Sequence, residues 1–417
     1  MIGFRHCCVL AIIVLGLTAC ELVPRSAAEQ GESASKSADH NLPESTAAPG
    51  APLPGLTSAA LQDFNEGRAL FHRAFTPEDG LGPLFNQNRC SSCHDLPTIG
   101  GHGAESVRKA TRYEAGRCEL FADSGGTMIQ MQVTPALRAS GIASEAIPRG
   151  ATGLASIVPT SLYGLGLIEA IDSAAIARNA DPDDKNRDGV SGRIGVTSSG
   201  RLARFGRKAN FADIRAFVED ALAQEMGLTT RTHPQEQKPG GKPLPAGVDP
   251  KPDPEIDERT IVLLTNYVRM LAPPSRDSAT AARGEHIFEQ IGCTACHTPS
   301  FTVDTDRASR DENEPGSNTH SALGMGKRRV QLYSDLLLHD LGEEMATVCK
   351  MNATPSEWRT TPLMGLRFRH ALMHDGRSQT LESAIESHGG EAARSRDRFR
   401  RLSAEDREAL LRFLRTL

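Results

Sequence analysis

The chain has 417 residues, a formal charge of −5, a pI near 6.2 and 39% hydrophobic residues. That balance excludes the basic footprint that nucleic-acid binding requires. Beyond the first twenty residues no segment is apolar enough to span a bilayer.

Arg5 precedes an apolar run, Val9–Leu17, which is too short for a membrane span but suits the core of a signal peptide. The run ends in Leu17-Thr18-Ala19-Cys20, which resembles the lipobox of bacterial lipoproteins. An ordinary secretory signal is the alternative. The expectation is a signal peptide over 1–19, acylation of Cys20 and a periplasmic location, with Glu21 favouring the outer membrane as anchor. Residues 20–55 are rich in Ala, Ser, Glu, Gly and Pro, which predicts a disordered tether with a reach of roughly 35 Å. The remainder, about 360 residues, suits two domains, each burying a core.

A helix is predicted over about Ser58–Phe75, with Gly67 and Phe71 inside it, followed by a Gly/Pro-containing insert, Thr76–Asn88. Next comes Cys90-Ser91-Ser92-Cys93-His94, and far downstream Cys293-Thr294-Ala295-Cys296-His297 repeats the pattern. C-x-x-C-H is the attachment signature of c-type haem. The two sulfurs form thioethers to the porphyrin vinyl groups, and the next histidine binds the iron. Tetrahedral zinc or a redox dithiol could use the cysteine pairs, but neither requires a histidine directly after each. Two covalent haem c groups are therefore expected, on Cys90, Cys93 and His94 and on Cys293, Cys296 and His297.

Asp184-Lys185-Asn186-Arg187-Asp188-Gly189 matches the opening of a calcium loop, offering oxygens from Asp184, Asn186 and Asp188. Its twelfth position is Gly195 rather than glutamate, and an Asx-turn is the alternative. A helical stretch, Phe211–Gln224, leads to Glu225-Met226-Gly227, and His233–Asp253 reads as irregular. Ile256–Leu271 carries an apolar stripe closed by Pro273 and Pro274, and a domain boundary is expected near Pro274–Ala279. Ala281–Ile291, with Gly284 and Phe288, reads as the helix before the second motif, and Val303–Ser317 as an acidic loop. Ser403–Leu417 reads as a closing helix with an N-cap at Ser403. Strand signals are sparse. The predicted fold is mainly α with long loops, in two cytochrome c-like haem domains, 56–274 and 275–417. Of nine cysteines, Cys7 and Cys8 leave with the signal. Cys118 and Cys349 are left over, either as a disulfide or as separate thiols.

Gly80–Asn86, Tyr333–Asp340, Trp358–Leu363, and His374–Arg377 through His388–Ala392 resemble the bacterial dihaem oxidoreductases often labelled "thiol oxidoreductase", relatives of dihaem cytochrome c peroxidases. The resemblance spans about Leu56–Leu417. It implies a peroxidase-like enzyme that passes electrons through the C-terminal haem to the N-terminal one. A periplasmic donor such as a small cytochrome or cupredoxin is implied, and a homodimer is left open. In the peroxidases a His-x-Gly turn is followed, after eleven residues, by a methionine ligand. Here His374-Asp375-Gly376 is followed at that spacing by His388. His388 is thus the expected sixth ligand of the second haem, against an open iron or Met373, and His/His ligation lowers the potential relative to His/Met. By the same resemblance Glu225 of the Glu-Met pair is the acid/base candidate at the first haem, whose far side is either open or taken by His102. The relatives' relay tryptophan near Arg204–Lys208 is absent, and the only tryptophan is Trp358. A non-enzymatic electron-transfer cytochrome with both irons six-coordinate is the alternative. A thiol-disulfide enzyme has little support, because the motif cysteines are consumed by haem.

Overall fold

Each Cys-x-x-Cys-His segment follows a helix that crosses a second helix at a glycine. The computed structural model describes residues 47–276, 281–306 and 323–417. The expected signal peptide, Cys20 and the tether as far as residue 46 lie outside these residues, as do parts of the expected domain boundary and acidic loop. Helix α1 (Ser58–His72) is capped by Thr57, whose hydroxyl accepts from the Ala60 N–H at 3.2 Å. Helix α2 (Ile214–Met226) is capped by Asp213 and ends at Gly227 in the left-handed region. Helix α3 (Glu258–Met270) is capped by Asp257. Helix α4 (Ala282–Gln290) precedes the second motif, and α5 (Ala404–Leu414) is capped by Ser403.

Gly67 of α1 lies so close to α3 that a Cβ there would sit 2.2 Å from the Leu263 carbonyl oxygen. Gly284 of α4 repeats the device against α5, 2.1 Å from the Ala409 carbonyl oxygen. No side chain fits at either crossing. The core around α1 and α3 contains Phe64, Phe71, Leu264 and Tyr267, and it also takes in Phe301, Val303 and Val330 from beyond the second motif. A second core joins Ile287, Phe288, Phe399, Leu410 and Phe413. Arg269 of α3 and Glu169 form a buried pair at 2.6 Å, and Glu169 also accepts from the Ile214 N–H at 2.8 Å, which locks α3 to the start of α2. Residues 47–53 run beside the end of α3, where Leu53 N–H donates to the Met270 carbonyl.

The mainly α expectation fails. Among the described residues 32% are helix and 15% strand, with several small sheets. Val107–Glu114 pairs antiparallel with Arg117–Glu119, Met128–Ile129 and Gly153–Ile157. Ser300–Asp304 pairs with Lys327–Gln331, and Leu338–Asp340 with Glu357–Arg359. Most of these strands span two to five residues, too few for alternation to show. The longest carries Arg108, Lys109 and Arg112, which break its apolar pattern. Among the described residues no helix is long and apolar enough to cross a membrane.

Candidate haem sites

At the second motif, Gly292 (φ +88°) turns the chain out of α4 into a single turn, Cys293–Ala295. His297 follows, its Nδ1 2.8 Å from the Tyr333 carbonyl oxygen. That contact uses the Nδ1–H and leaves Nε2 for a metal. Facing the same cavity is His388, just beyond the helix Leu381–Glu386, with its Nδ1 2.7 Å from the Ala384 carbonyl oxygen. Burial disfavours the charged form of both rings, and ligation uses the neutral one. Burial pushes His297 down to about 4, with His388 among the further causes, and burial lowers His388 too. The cavity measures about 210 Å³, larger than the ~150 Å³ apolar void that takes up benzene.

Around it the motif blocks converge. His339 sits 2.8 Å from Asp335 through Nε2 and 2.8 Å from Glu391 through Nδ1, which joins the Tyr333–Asp340 and His388–Ala392 segments. Arg207, Arg359 and Arg369 line the cavity without a carboxylate partner among the described residues. Burial pushes Arg359 and Arg369 down to about 10 and Arg207 well below its ordinary value. Arg207 Nε and both ring nitrogens of His374 are buried without a hydrogen bond. An apolar cavity that receives the free Nε2 atoms of His297 and His388, two cysteines and guanidiniums without a carboxylate partner fits a haem with its propionates. Arg377 instead stabilises its own loop, donating to Asp375 and to the Glu344 carbonyl.

At the first motif, the single turn Cys90–Ser92 presents His94, whose Nδ1 lies 3.0 Å from the Gly101 carbonyl oxygen. The cavity here measures about 270 Å³, and His94 is the one histidine among its described lining residues. Glu225 and Met226, at the end of α2, also line it, as does Met128. Burial pushes the Glu225 carboxyl up, opposed by Lys109 and by a 2.7 Å hydrogen bond from Asn86 Nδ2. Asn86 is itself buried. Its N–H donates to the Glu225 carbonyl at 2.7 Å, and its Oδ1 accepts from the Met131 N–H at 3.0 Å. This clamp was not foreseen, although Asn86 closes the Gly80–Asn86 block. His102 is placed elsewhere: its ring faces His370 at 5.7 Å and does not line the cavity.

The two cavities share a wall formed by Arg207, Trp358 and Arg359. Trp358 stacks on His374 at 3.8 Å, carries the Lys208 ammonium 3.6 Å over its other side, and donates its indole N–H to the Met345 carbonyl at 3.0 Å. The Arg204–Lys208 segment contains no indole of its own, yet the fold brings one to it from 150 residues along the chain. Only sequence distance hid this.

Cys118 and Cys349 form a disulfide, and the four motif cysteines are free of one. Burial pushes the Cys90, Cys93 and Cys293 thiols up to about 12, the opposite of a reactive exchange thiol. Each candidate ligand of the Asp184–Gly189 loop has one oxygen that accepts a nearby backbone N–H. Asp184 accepts from the Gly189 N–H, Asn186 from the Asp188 N–H, and Asp188 from the Val190 N–H. The Asn186–Asp188 and Asp188–Val190 contacts are Asx-turns, and Asp181 accepts from the Lys185 and Asn186 N–H groups of the same loop.

The family described as "Di-haem oxidoreductase, putative peroxidase" matches residues 152–417. Among solved structures, Kuenenia stuttgartiensis hydrazine synthase pressurised with xenon aligns at 14% identity with a TM-score of 0.34, covering 91% of this chain and 97% of that one. A MauG-like protein associated with microbial copper homeostasis aligns at 14% identity with a TM-score of 0.32, covering 90% and 94%. Likeness at that level carries nothing over to this chain. No curated protein matches it.

Proposed function

The chain belongs to the di-haem oxidoreductase family, and from that premise we propose a peroxidase-like enzyme that reduces peroxide at the first site with electrons entering through the second. Cys90, Cys93 and His94 hold one haem c; Cys293, Cys296, His297 and His388 hold the other. When bound, the groups would supply redox-active iron; His94 is the histidine offered to it at the first site, and His297 and His388 are those proposed at the second. The protein's own contribution is the proton. Two electrons and two protons convert peroxide to two waters, and a proton must move from one peroxide oxygen to the other. Glu225 is the group for this transfer: a buried carboxyl whose pKa is raised toward the working range and which Asn86 holds in place. Trp358, Arg207 and Arg359 lie between the sites and shorten any electron path through the shared wall.

The observation that carries this reading is the asymmetry of the cavities. The second presents two anchored imidazoles, while the first presents one imidazole and a buried carboxyl. A Cys118–Cys349 disulfide favours an oxidising compartment, in keeping with export through the 1–19 signal and a lipid anchor at Cys20. The electron donor is then a soluble periplasmic redox protein such as a small cytochrome or cupredoxin.

The ferric spectrum of the loaded protein tests the reading: one high-spin and one low-spin haem are expected. Glu225→Gln should lower peroxide turnover by about 10²–10⁴-fold with the spectrum unchanged. Met128 and Met226 also line the first cavity, so two low-spin haems without peroxide turnover would refute the enzyme in favour of an electron-transfer cytochrome.

A further inference from the structure

Away from both cavities, the segment between α2 and α3 gathers four carboxylates. Glu236, Asp249, Asp253 and Glu255 each offer an oxygen, and these oxygens all lie within 4.8 Å of one another. Acidic residues this close repel, and a surface cluster would point its carboxylates outward into water. Here Glu236, Asp249 and Glu255 turn oxygens inward, and Asp253 is the exposed member of the four. Glu255 is only 5% exposed, and its Oε1 is buried without a hydrogen bond. Both carboxylate oxygens of Glu236 and Oδ1 of Asp249 are likewise buried and unpartnered.

The surrounding groups hold the cluster together but do not neutralise it. Thr229 donates to Glu255 Oε2 from its N–H at 2.8 Å and from its hydroxyl at 3.1 Å, and the same hydroxyl contacts Asp253. Lys251, the cation nearest in sequence, spends its ammonium on the Asp79 carbonyl oxygen at 2.9 Å. Among the described residues, none of the four is in an ion pair. Desolvated carboxylates of one sign require either protons or a cation.

We propose that Glu236, Asp249, Asp253 and Glu255 form a binding site for one divalent cation, calcium by its oxygen-only donor set. Calcium takes six to eight oxygens in a flexible shell, whereas transition metals favour the nitrogen and sulfur donors lacking here. The site lies at a junction that matters mechanically. Thr229 is two residues past Gly227, which ends the helix bearing Glu225, and Glu255 is two residues before the α3 cap. Gly80, in the insert before the first motif, packs against the Glu255 side chain, where an added Cβ would lie 2.8 Å away. A bound cation would pin all three segments behind the Asn86–Glu225 clamp.

The test uses the full haem-loaded chain, stripped with a chelator and titrated with calcium chloride by calorimetry, with melting followed in parallel. One calcium per chain is expected, together with a rise in melting temperature. Glu236→Gln should weaken binding at least tenfold and abolish that rise. With the chelator present, it should melt no lower than wild type, because it removes a repelling charge. Asp249→Asn should repeat the pattern, and Asp184→Asn should bind calcium as wild type does. The proposal is overturned if the wild type takes up no calcium, if Asp184→Asn abolishes uptake, or if Glu236→Gln and Asp249→Asn both bind normally. A wild-type melting temperature indifferent to calcium would overturn it equally.

Discussion

Cys118 and Cys349 are 231 residues apart, so their disulfide closes most of the folded chain into one loop. Replacing both with serine returns that closure entropy to the unfolded state. The chain-entropy relation gives about 18 cal/mol/K for such a loop, or roughly 5 kcal/mol at 25 °C. Partial structure in the unfolded chain reduces this, and about 4 kcal/mol is the working expectation. With an unfolding entropy of about 2.1 cal/mol/K per residue over about 350 ordered residues, the melting temperature should fall by about 5 °C. The loss has a location. Cys118 pairs with Tyr113 in the sheet, the Cys349 N–H donates to Thr111 Oγ1 at 3.1 Å, and Cys349 lines the first cavity. The first haem's spectrum should therefore shift while the second's stays put. Thermal and urea unfolding of wild type and the double serine variant measure the first effect, and spectra of each haem the second. A double variant that melts within 1 °C of wild type at about 350 residues would refute the entropic reasoning. A peptide map in which the Cys118 and Cys349 fragments are not joined would refute the pairing.

His388→Ala should turn the second haem high-spin and open it to added imidazole; an unchanged low-spin signal would show that His388 is not its ligand. Trp358→Leu should slow electron passage between the sites, read by rapid mixing of peroxide with the pre-reduced protein, and Trp358→Phe should do so less. Equal rates in all three proteins would remove Trp358 from the path. Glu145 is buried against the Gln130 N–H, and burial raises its carboxyl from 4.5 to about 7. The unfolded chain loses that proton first, so folding stability falls as pH rises from 4.5 to about 7 and is flat with respect to this group above it. Glu145→Gln should flatten the pH dependence of the melting temperature in that window, and a slope identical to wild type would count against the assignment.

Helices with local signals were legible. The cap at Ser403 sits where the chain's own side chain satisfies a first free N–H group, and such a signal is written in neighbouring residues. The glycines at 67 and 284 were legible as punctuation, and the structure shows what they admit. The strands were not. Val107–Glu114 becomes a strand because Gly153–Ile157 and Met128–Ile129 pair with it from up to about 50 residues away, and its own sequence is too charged to announce that. The place of Trp358 beside that segment was hidden for the same reason. Absence from the Arg204–Lys208 segment says nothing about what a strand 150 residues later lays beside it.

The sequence alone marked the two segments proposed to attach haem and the histidine that closes each, because thioether formation and proximal ligation need five contiguous residues. It also supplied His388 and Glu225 as candidates, through spacing shared with relatives. Tertiary structure alone decided that Cys118 meets Cys349, that His102 turns away from the first cavity, that Trp358 stands in the wall between the cavities, and that four carboxylates converge. Each of these depends on desolvation and on packing between separate segments. Those quantities belong to the folded chain, and no local pattern of residues encodes them.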